Sequence, residues 1–229
     1  MLNPNPLAGF GILSPLQKQS LQVLSALPEK EFFYLGGGTA LSEYYLGHRY
    51  SFDLDFFTSI EEIILPLSYK IESLFSQNNL PIQTIRRFHS FVEFVVADEL
   101  RIDFGLDSPV RFEPPQHTTD GIHVSGFLDL CVDKLLAYFG RIEPRDAVDV
   151  YFILQHQSFD EIIEKASEKD SGFDLYWMAV ALYQAERFPD DLSEWPVKVI
   201  KDFAPQILKK QFRALSFELL DRTRSSHSS

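Results

Sequence analysis

Residues 36–55, GGGTALSEYYLGHRYSFDLD, constrain the chain more than any other stretch: three glycines close one apolar run, a helix-length segment follows, and Asp53 and Asp55 lie inside the next apolar run. A strand alternates its faces, so Asp53 and Asp55 point the same way and can grip one hard cation together. Such a pair is comfortable only beside positive charge. Gly36, Gly37 and Gly38 let the backbone approach a phosphate closely, and the helix they open offers unpaired N–H groups and a positive dipole end to an anion. Metal and phosphate in one loop point to nucleotide chemistry.

The hydrophobic period changes once along the chain. Leu13 to Leu27 predicts an N-terminal helix after Ser14-Pro15, and Phe32 to Leu35 a short buried strand running into the glycines. Thr39 to Leu46 reads as a helix capped by Thr39 and stopped by Gly47, with Tyr50 to Phe57 the next strand. Ser59 to Gln77 predicts a helix that Pro66 kinks or splits. Ile82 to Phe88, Phe91 to Ala97 and Leu100 to Leu106 read as three strands, the last two joined by a tight turn at Asp98-Glu99. Asp107 to His117, with three prolines, reads as a linker. Beyond it Phe127 to Arg141, Arg145 to Gln155, Phe159 to Lys169, Phe173 to Glu186 and Val197 to Arg222 all read as helices. The fold class is therefore α+β, a mixed sheet with flanking helices followed by a helical bundle.

At 229 residues and 45% hydrophobic content the chain can bury a real core. No apolar run reaches the ~18 residues that span a bilayer, and no basic region precedes an apolar stretch at the N-terminus, so a cytoplasmic protein without membrane contact is expected. The single cysteine, Cys131, leaves no internal disulfide and no Cys-rich zinc site, and its pattern places it in a core. A net charge of −12 argues against coating nucleic acid with the whole surface. From Val197 onward seven Lys or Arg stand against three Asp or Glu, leaving −16 on the residues before it. A tail helix bearing Lys198, Lys201, Lys209, Lys210 and Arg213 could touch RNA or an acidic partner, or be a solvated face.

Asp103, in the apolar strand LRIDFGL, joins Asp53 and Asp55 as a third carboxylate. Three carboxylates on neighbouring strands repel one another without a cation. Two Mg²⁺ ions would resolve this, one on a triphosphate and one lowering the pKa of an attacking hydroxyl. The alternative is three polar positions on half-exposed strands. Gly36 to Gly38 could cradle phosphate with the Thr39 hydroxyl, or be a plain turn, and their spacing fits neither a P-loop nor G-x-G-x-x-G. Arg49 and Ser51 flank the entry to the Asp-x-Asp strand, Arg49 as a phosphate ligand, an orienter of Asp53 or a surface pair. On the first late helix Lys134 and Arg141 share a face, where cations across a cleft from the carboxylates could neutralise a triphosphate. Pro144 marks the next turn, placing Arg145 and Asp146 at a helix start, and Asp146 and Asp149 read equally as an ion-pair network with Arg141 or Arg145. The histidines show no metal-ligand spacing, and no hydrolase motif with Ser, Cys or H-E-x-x-H is present.

In order, G-G-T-A-L, H-R-x-S-x-D-L-D-F-F, the I-D-F strand and K-x-x-A-x-x-x-R-x-x-x-R-D-x-x-D resemble the nucleotidyltransferase toxins of abortive-infection type, AbiEii/AbiGii, within the polymerase β-like nucleotidyltransferase superfamily. The resemblance covers Phe33 to Leu154. It implies a nucleotidyltransferase core with an appended helical domain; with the change of period and the polar end, the expected bounds are the core with N-terminal helix over 1–118, the helical domain over 119–224 and a disordered tail over 225–229. It implies Mg²⁺, a nucleoside triphosphate donor, an RNA acceptor such as tRNA or a protein acceptor, and a separately encoded antitoxin. Carried over by position, Gly37, Gly38 and Thr39 hold phosphate, Asp53 and Asp55 the metals with Asp103 as third carboxylate, and Lys134 the triphosphate. Asp146 becomes a base or an organiser of Lys134 and Arg145. A catalytically silent nucleotide-binding module of the same fold is the competing reading, and a two-metal nuclease a third with no use for the glycine turn.

Overall fold

Alternation along the Asp-x-Asp run decides how the sheet faces. In the computed structural model, which describes residues 6–226, strand β2 (Leu54–Thr58) buries Leu54, Phe56 and Thr58 and turns Asp55 and Phe57 to the other face. Phe56 stacks on Phe104 at 4.8 Å between ring centroids, and Phe33 meets both edge-on at 5.4 Å. The aromatic core thus lies behind the sheet and the carboxylates in front of it.

The sheet has seven strands in the order β3-β4-β5-β2-β1-β7-β6. Besides β2 these are β1 (Tyr34–Leu35), β3 (Ile82–Arg87), β4 (Phe91–Val96), β5 (Leu100–Leu106), β6 (Gln116–His117) and β7 (His123–Val124). Strand β2 runs parallel to β5 and antiparallel to β1, and β4 is antiparallel to both β3 and β5. Helix α1 (Pro15–Ser25) opens on a capping box in which Ser14 and Gln17 satisfy each other's backbone N–H. Helix α3 (Glu61–Gln77) packs on α1 and on β3 to β5 through Ile64, Leu67, Ile71 and Phe75. It runs through Pro66 as one helix, so of the expected kink or split the split is absent, with Ile64 and Leu67 buried on either side.

Several expected boundaries move. The strand expected from Tyr50 begins only at Leu54, because residues 51–53 carry no ladder pairing. The β4–β5 hairpin turns at Ala97-Asp98, both at positive φ (52° and 57°), with Glu99 N donating to Val96 O, and three residues separate the paired Val96 and Leu100. The segment expected as a linker is tied into the sheet unit. Arg111 Nη1 donates to Asp107 Oδ2 at 2.6 Å and Nη2 to Ser125 Oγ at 3.0 Å, the guanidinium lies 4.2 Å over the Tyr34 ring, and Gln116–His117 become β6.

The chain divides into two compact units, Met1–Leu130 and Cys131–Ser229, the division falling inside α4 (Phe127–Arg141). The second unit contains α5 (Pro144–Ile153), α6 (Phe159–Lys169), α7 (Leu175–Gln184) and α8 (Pro205–Ser226). Helices α7 and α8 pack together, Ser216 Oγ donating to Ala179 O and the Tyr138 hydroxyl to Ala181 O. Cys131 is fully buried, as expected. Helix α8 starts at Pro205, whose missing N–H suits a first helical position, so Lys198 and Lys201 fall outside it. It continues through Ser226, and of the expected tail residues 227–229 lie outside the described residues. Among the described residues no helix is long and apolar enough to cross a membrane.

Candidate active site

The sheet register brings the carboxylates together. Asp55 on β2 is the direct partner of Asp103 on the parallel strand β5, and Asp103 is in turn the partner of Glu93 on β4. Asp53 stands two residues before Asp55, and Arg101 two before Asp103. Arg101 spans the row: its Nη2 lies 3.3 Å from Asp53 Oδ2 and its Nε 3.5 Å from Asp103 Oδ2. Burial pushes the Asp103 carboxyl up to about 6; Arg101 pulls it down, and Asp55, Glu93 and Asp53 push it further up. Asp103 Oδ1 is buried without a hydrogen-bond partner.

The glycine turn sits directly on this cluster. Gly36 N donates to Asp55 O at 2.7 Å, and helix α2 (Gly37–Leu41) starts at once, continuing as a π turn over Ser42–Leu46. Gly37 has φ +63°, and a Cβ there would stand 2.2 Å from Asp55 Oδ2. A Cβ on Gly38 would stand 2.5 Å from Arg49 Nη2 and 2.9 Å from Ser51 Oγ. The turn needs glycine because Asp55, Arg49 and Ser51 occupy the space a side chain would take. Arg49 is buried and donates from Nη1 to Tyr50 O at 2.9 Å. Thr39 lies inside α2 and not at its cap; its buried hydroxyl donates to Asp53 O and ties the helix to the Asp-x-Asp run. Buried Glu43, on the π turn, accepts from Gly11 N and Ile12 N at 2.8 Å each and fastens the N-terminal segment over this helix.

An all-oxygen donor set suits a hard divalent cation, and the orphaned Asp103 Oδ1 is an oxygen in want of a positive partner. Among the described residues, however, no group of three or more His, Cys, Asp or Glu is arranged to hold a metal ion. The geometry gives the reason: two of the three carboxylates are turned onto the Arg101 guanidinium.

In the second unit Lys134 Nζ lies 2.9 Å from Asp149 Oδ2 and 3.8 Å from Asp146 Oδ1. Arg141 makes a two-pronged pair with Asp146 at 2.6 and 2.8 Å, while Arg145 turns to Glu143 at 2.7 Å. Asp146 and Asp149 are fully buried and Lys134 nearly so. The ion-pair network read from the sequence is present with Arg141, and Lys134 is part of it. The basic residues of α8 are compensated in part: Lys209 pairs with Asp190 at 2.7 Å and Arg213 with Glu186 at 3.5 Å.

Sequence reading missed Arg101, two residues before Asp103 in the same strand, and Glu93, the lone charge of the apolar strand FVEFVV. It also missed His117 and His123, which face each other across β6 and β7 with Nε2 atoms 3.3 Å apart. Five residues of hairpin separate them, a spacing that resembles no ligand motif.

The family described as nucleotidyl transferase AbiEii toxin, type IV toxin-antitoxin system, matches residues 19–220. An uncharacterised protein of Aquifex aeolicus is 29% identical over 185 residues, covering 78% of this chain and 85% of that protein. Solved structures that share the fold include two from bacteria. JHP933 from Helicobacter pylori has a TM-score of 0.52 at 18% identity, covering 93% of each chain. MenT4, a nucleotidyltransferase toxin from Mycobacterium tuberculosis H37Rv, has a TM-score of 0.55 at 15% identity, covering 90% of this chain and 82% of that one. The chain belongs to the AbiEii nucleotidyltransferase toxin family.

Proposed function

We propose that this AbiEii-family protein is a cytoplasmic, Mg²⁺-dependent enzyme that moves a nucleoside monophosphate from an NTP onto an acceptor. The acceptor is an RNA such as tRNA, or a protein, and the enzyme is the toxin of a pair with a separately encoded antitoxin. One observation carries the reading. Asp55 and Asp103 are paired in register on adjacent strands, and Gly37 seats the start of a helix against the Asp55 carboxylate.

Each residue of the first unit has a task in this reading. The first N–H groups of α2, from Gly37, Gly38 and Thr39, lack helical partners of their own and suit phosphate oxygens. Buried Arg49, against Gly38, adds positive charge there, and Ser51 a hydroxyl. Thr39 fixes Asp53 through the Asp53 carbonyl. Asp53, Asp55 and Asp103 would hold two Mg²⁺ ions, which supply charge neutralisation on the phosphates and a lowered pKa for the acceptor hydroxyl. By the family pattern Lys134 serves the triphosphate, with Asp146 as base or as organiser of Lys134 and Arg145. The close pairing of Lys134 with Asp149 and Asp146 supports the organising role.

The test is transfer of label from each NTP, with Mg²⁺, to total RNA or protein. Wild type yields a labelled product that Asp55→Ala abolishes; transfer that survives Asp55→Ala overturns the proposal. The hold of Arg101 on two carboxylates favours a second reading, a nucleotide-binding module without turnover. Calorimetry would then show NTP binding, with no pyrophosphate released for any acceptor.

A further inference from the structure

Arg101 is the cation of this carboxylate cluster, and the proposed reaction gives it no task. Its guanidinium reaches Asp53 and Asp103 only at the long end of ion-pair distances, 3.3 and 3.5 Å, and its side chain is 46% exposed. It is therefore held by charge and not by packing, and can swing away without opening a cavity. Pairs of this kind in partial contact with water are weak. A hard divalent cation binds carboxylate oxygen at ~2.0–2.6 Å, and a guanidinium facing the same Oδ2 atoms repels it.

We infer that Arg101 is the resident counter-ion of the metal-free site, standing between Asp53 and Asp103 where a divalent cation is to be held, and that the cation must displace it to bind. The inference rests on the metal-binding reading of Asp53, Asp55 and Asp103. Two features of the site support it. Asp53, Asp55, Asp103 and Glu93 crowd one stretch of sheet, yet no three acidic groups meet on a point, because the guanidinium draws two of them to itself. Arg101 also leaves the crowding unrelieved at Asp103 Oδ1, which has no partner. Once displaced, the guanidinium stays on the same strand face, two residues from Asp103, free to meet the phosphates that arrive with the cation. Metal alone then has to compete with Arg101, whereas metal with a nucleotide gives Arg101 a new partner, so the two ligands bind cooperatively.

The readout is Mn²⁺ binding followed by electron paramagnetic resonance of the free ion, with and without a non-hydrolysable NTP, using Mn²⁺ in place of Mg²⁺. Arg101→Ala is expected to tighten binding of Mn²⁺ alone by about tenfold and to remove most of the further tightening that nucleotide gives to wild type. Arg101→Gln, which keeps the bulk of the side chain, is expected to do the same, and circular dichroism of both variants checks the fold. Equal or weaker Mn²⁺ binding in both variants, with Asp55→Ala still abolishing it, overturns the role of Arg101 and leaves the metal site standing. Mn²⁺ binding that Asp55→Ala does not weaken overturns the metal site and the inference together.

Discussion

Replacing Gly37 by alanine separates the glycine turn as a backbone necessity from the glycine turn as part of a site. Gly37 has φ +63°, where an L side chain costs ~1–2 kcal/mol. The added Cβ would stand 2.2 Å from Asp55 Oδ2 and 2.9 Å from Asp55 Cγ. Ordinary contact at ~3.4 Å or more requires the carboxylate to retreat by about 1 Å. Strain and clash together should lower stability by ~1–3 kcal/mol, and each kcal/mol lowers Tm by about 2–4 °C in a chain of this size. The displacement matters more for chemistry, since a reacting group misplaced by ~1 Å costs about 10²-fold in rate. Gly11 supplies the control: it has φ +78° and nothing within 4 Å of where a Cβ would stand, so Gly11→Ala carries the backbone strain without the clash. Thermal melts should show both variants destabilised, and label transfer should fall about 100-fold only in Gly37→Ala. Equal transfer by the two variants would refute the claim that the turn positions Asp55.

The Asp103 carboxyl, raised to about 6 from 3.8, gives the native protein more bound protons than the unfolded chain between those values. Its stabilising contribution is therefore full below pH ~4 and lost as pH rises through about 6; Asp103→Asn should remove this slope from urea midpoints, and a carboxyl ¹³C resonance titrating near 4 would contradict it. Lys134→Met leaves Asp146 and Asp149 buried with one cation fewer and should cost ~3–5 kcal/mol in denaturant unfolding, while a neutral effect would show that the pairing carries little stability. Phe56→Ala empties the centre of the Phe33, Phe56 and Phe104 cluster and should cost ~3–5 kcal/mol; a loss below ~1 kcal/mol would place the core elsewhere.

What could be read from the sequence follows the range of the interactions involved. The period of two in SFDLDFF and LRIDFGL put Asp55 and Asp103 on strands, because that signal is local, while Asp53, expected on the same strand, falls just before β2; the glycines placed the helix start to within two residues. That Asp55 and Asp103 are direct partners depends on which strands neighbour each other, across 47 residues of intervening chain. Arg101 and Glu93 passed as ordinary strand charges until the register set them around Asp103. Thr39 was placed at a cap by its residue type, yet the Gly37 backbone starts the helix two residues earlier and the hydroxyl goes to Asp53 O. The segment from Asp107 looked like a linker from its prolines, whereas Arg111 binds it to Asp107, Tyr34 and Ser125, contacts that no local pattern announces. For Asp146 and Asp149 the residue types suit a site and an ion-pair network with Arg141 or Arg145 equally, and the Arg141 and Lys134 contacts are of the second kind.

The central claim is that Asp53, Asp55 and Asp103 hold metal beside a glycine turn that holds phosphate. A crystal structure of the full chain soaked with Mg²⁺ and a non-hydrolysable NTP tests it most directly. The account predicts divalent-ion density on the Asp53, Asp55 and Asp103 oxygens, triphosphate against the N–H groups of Gly37 to Thr39, and Arg101 turned away from Asp53 and Asp103. Nucleotide bound elsewhere, with Arg101 still paired to both carboxylates and no ion between them, would contradict it.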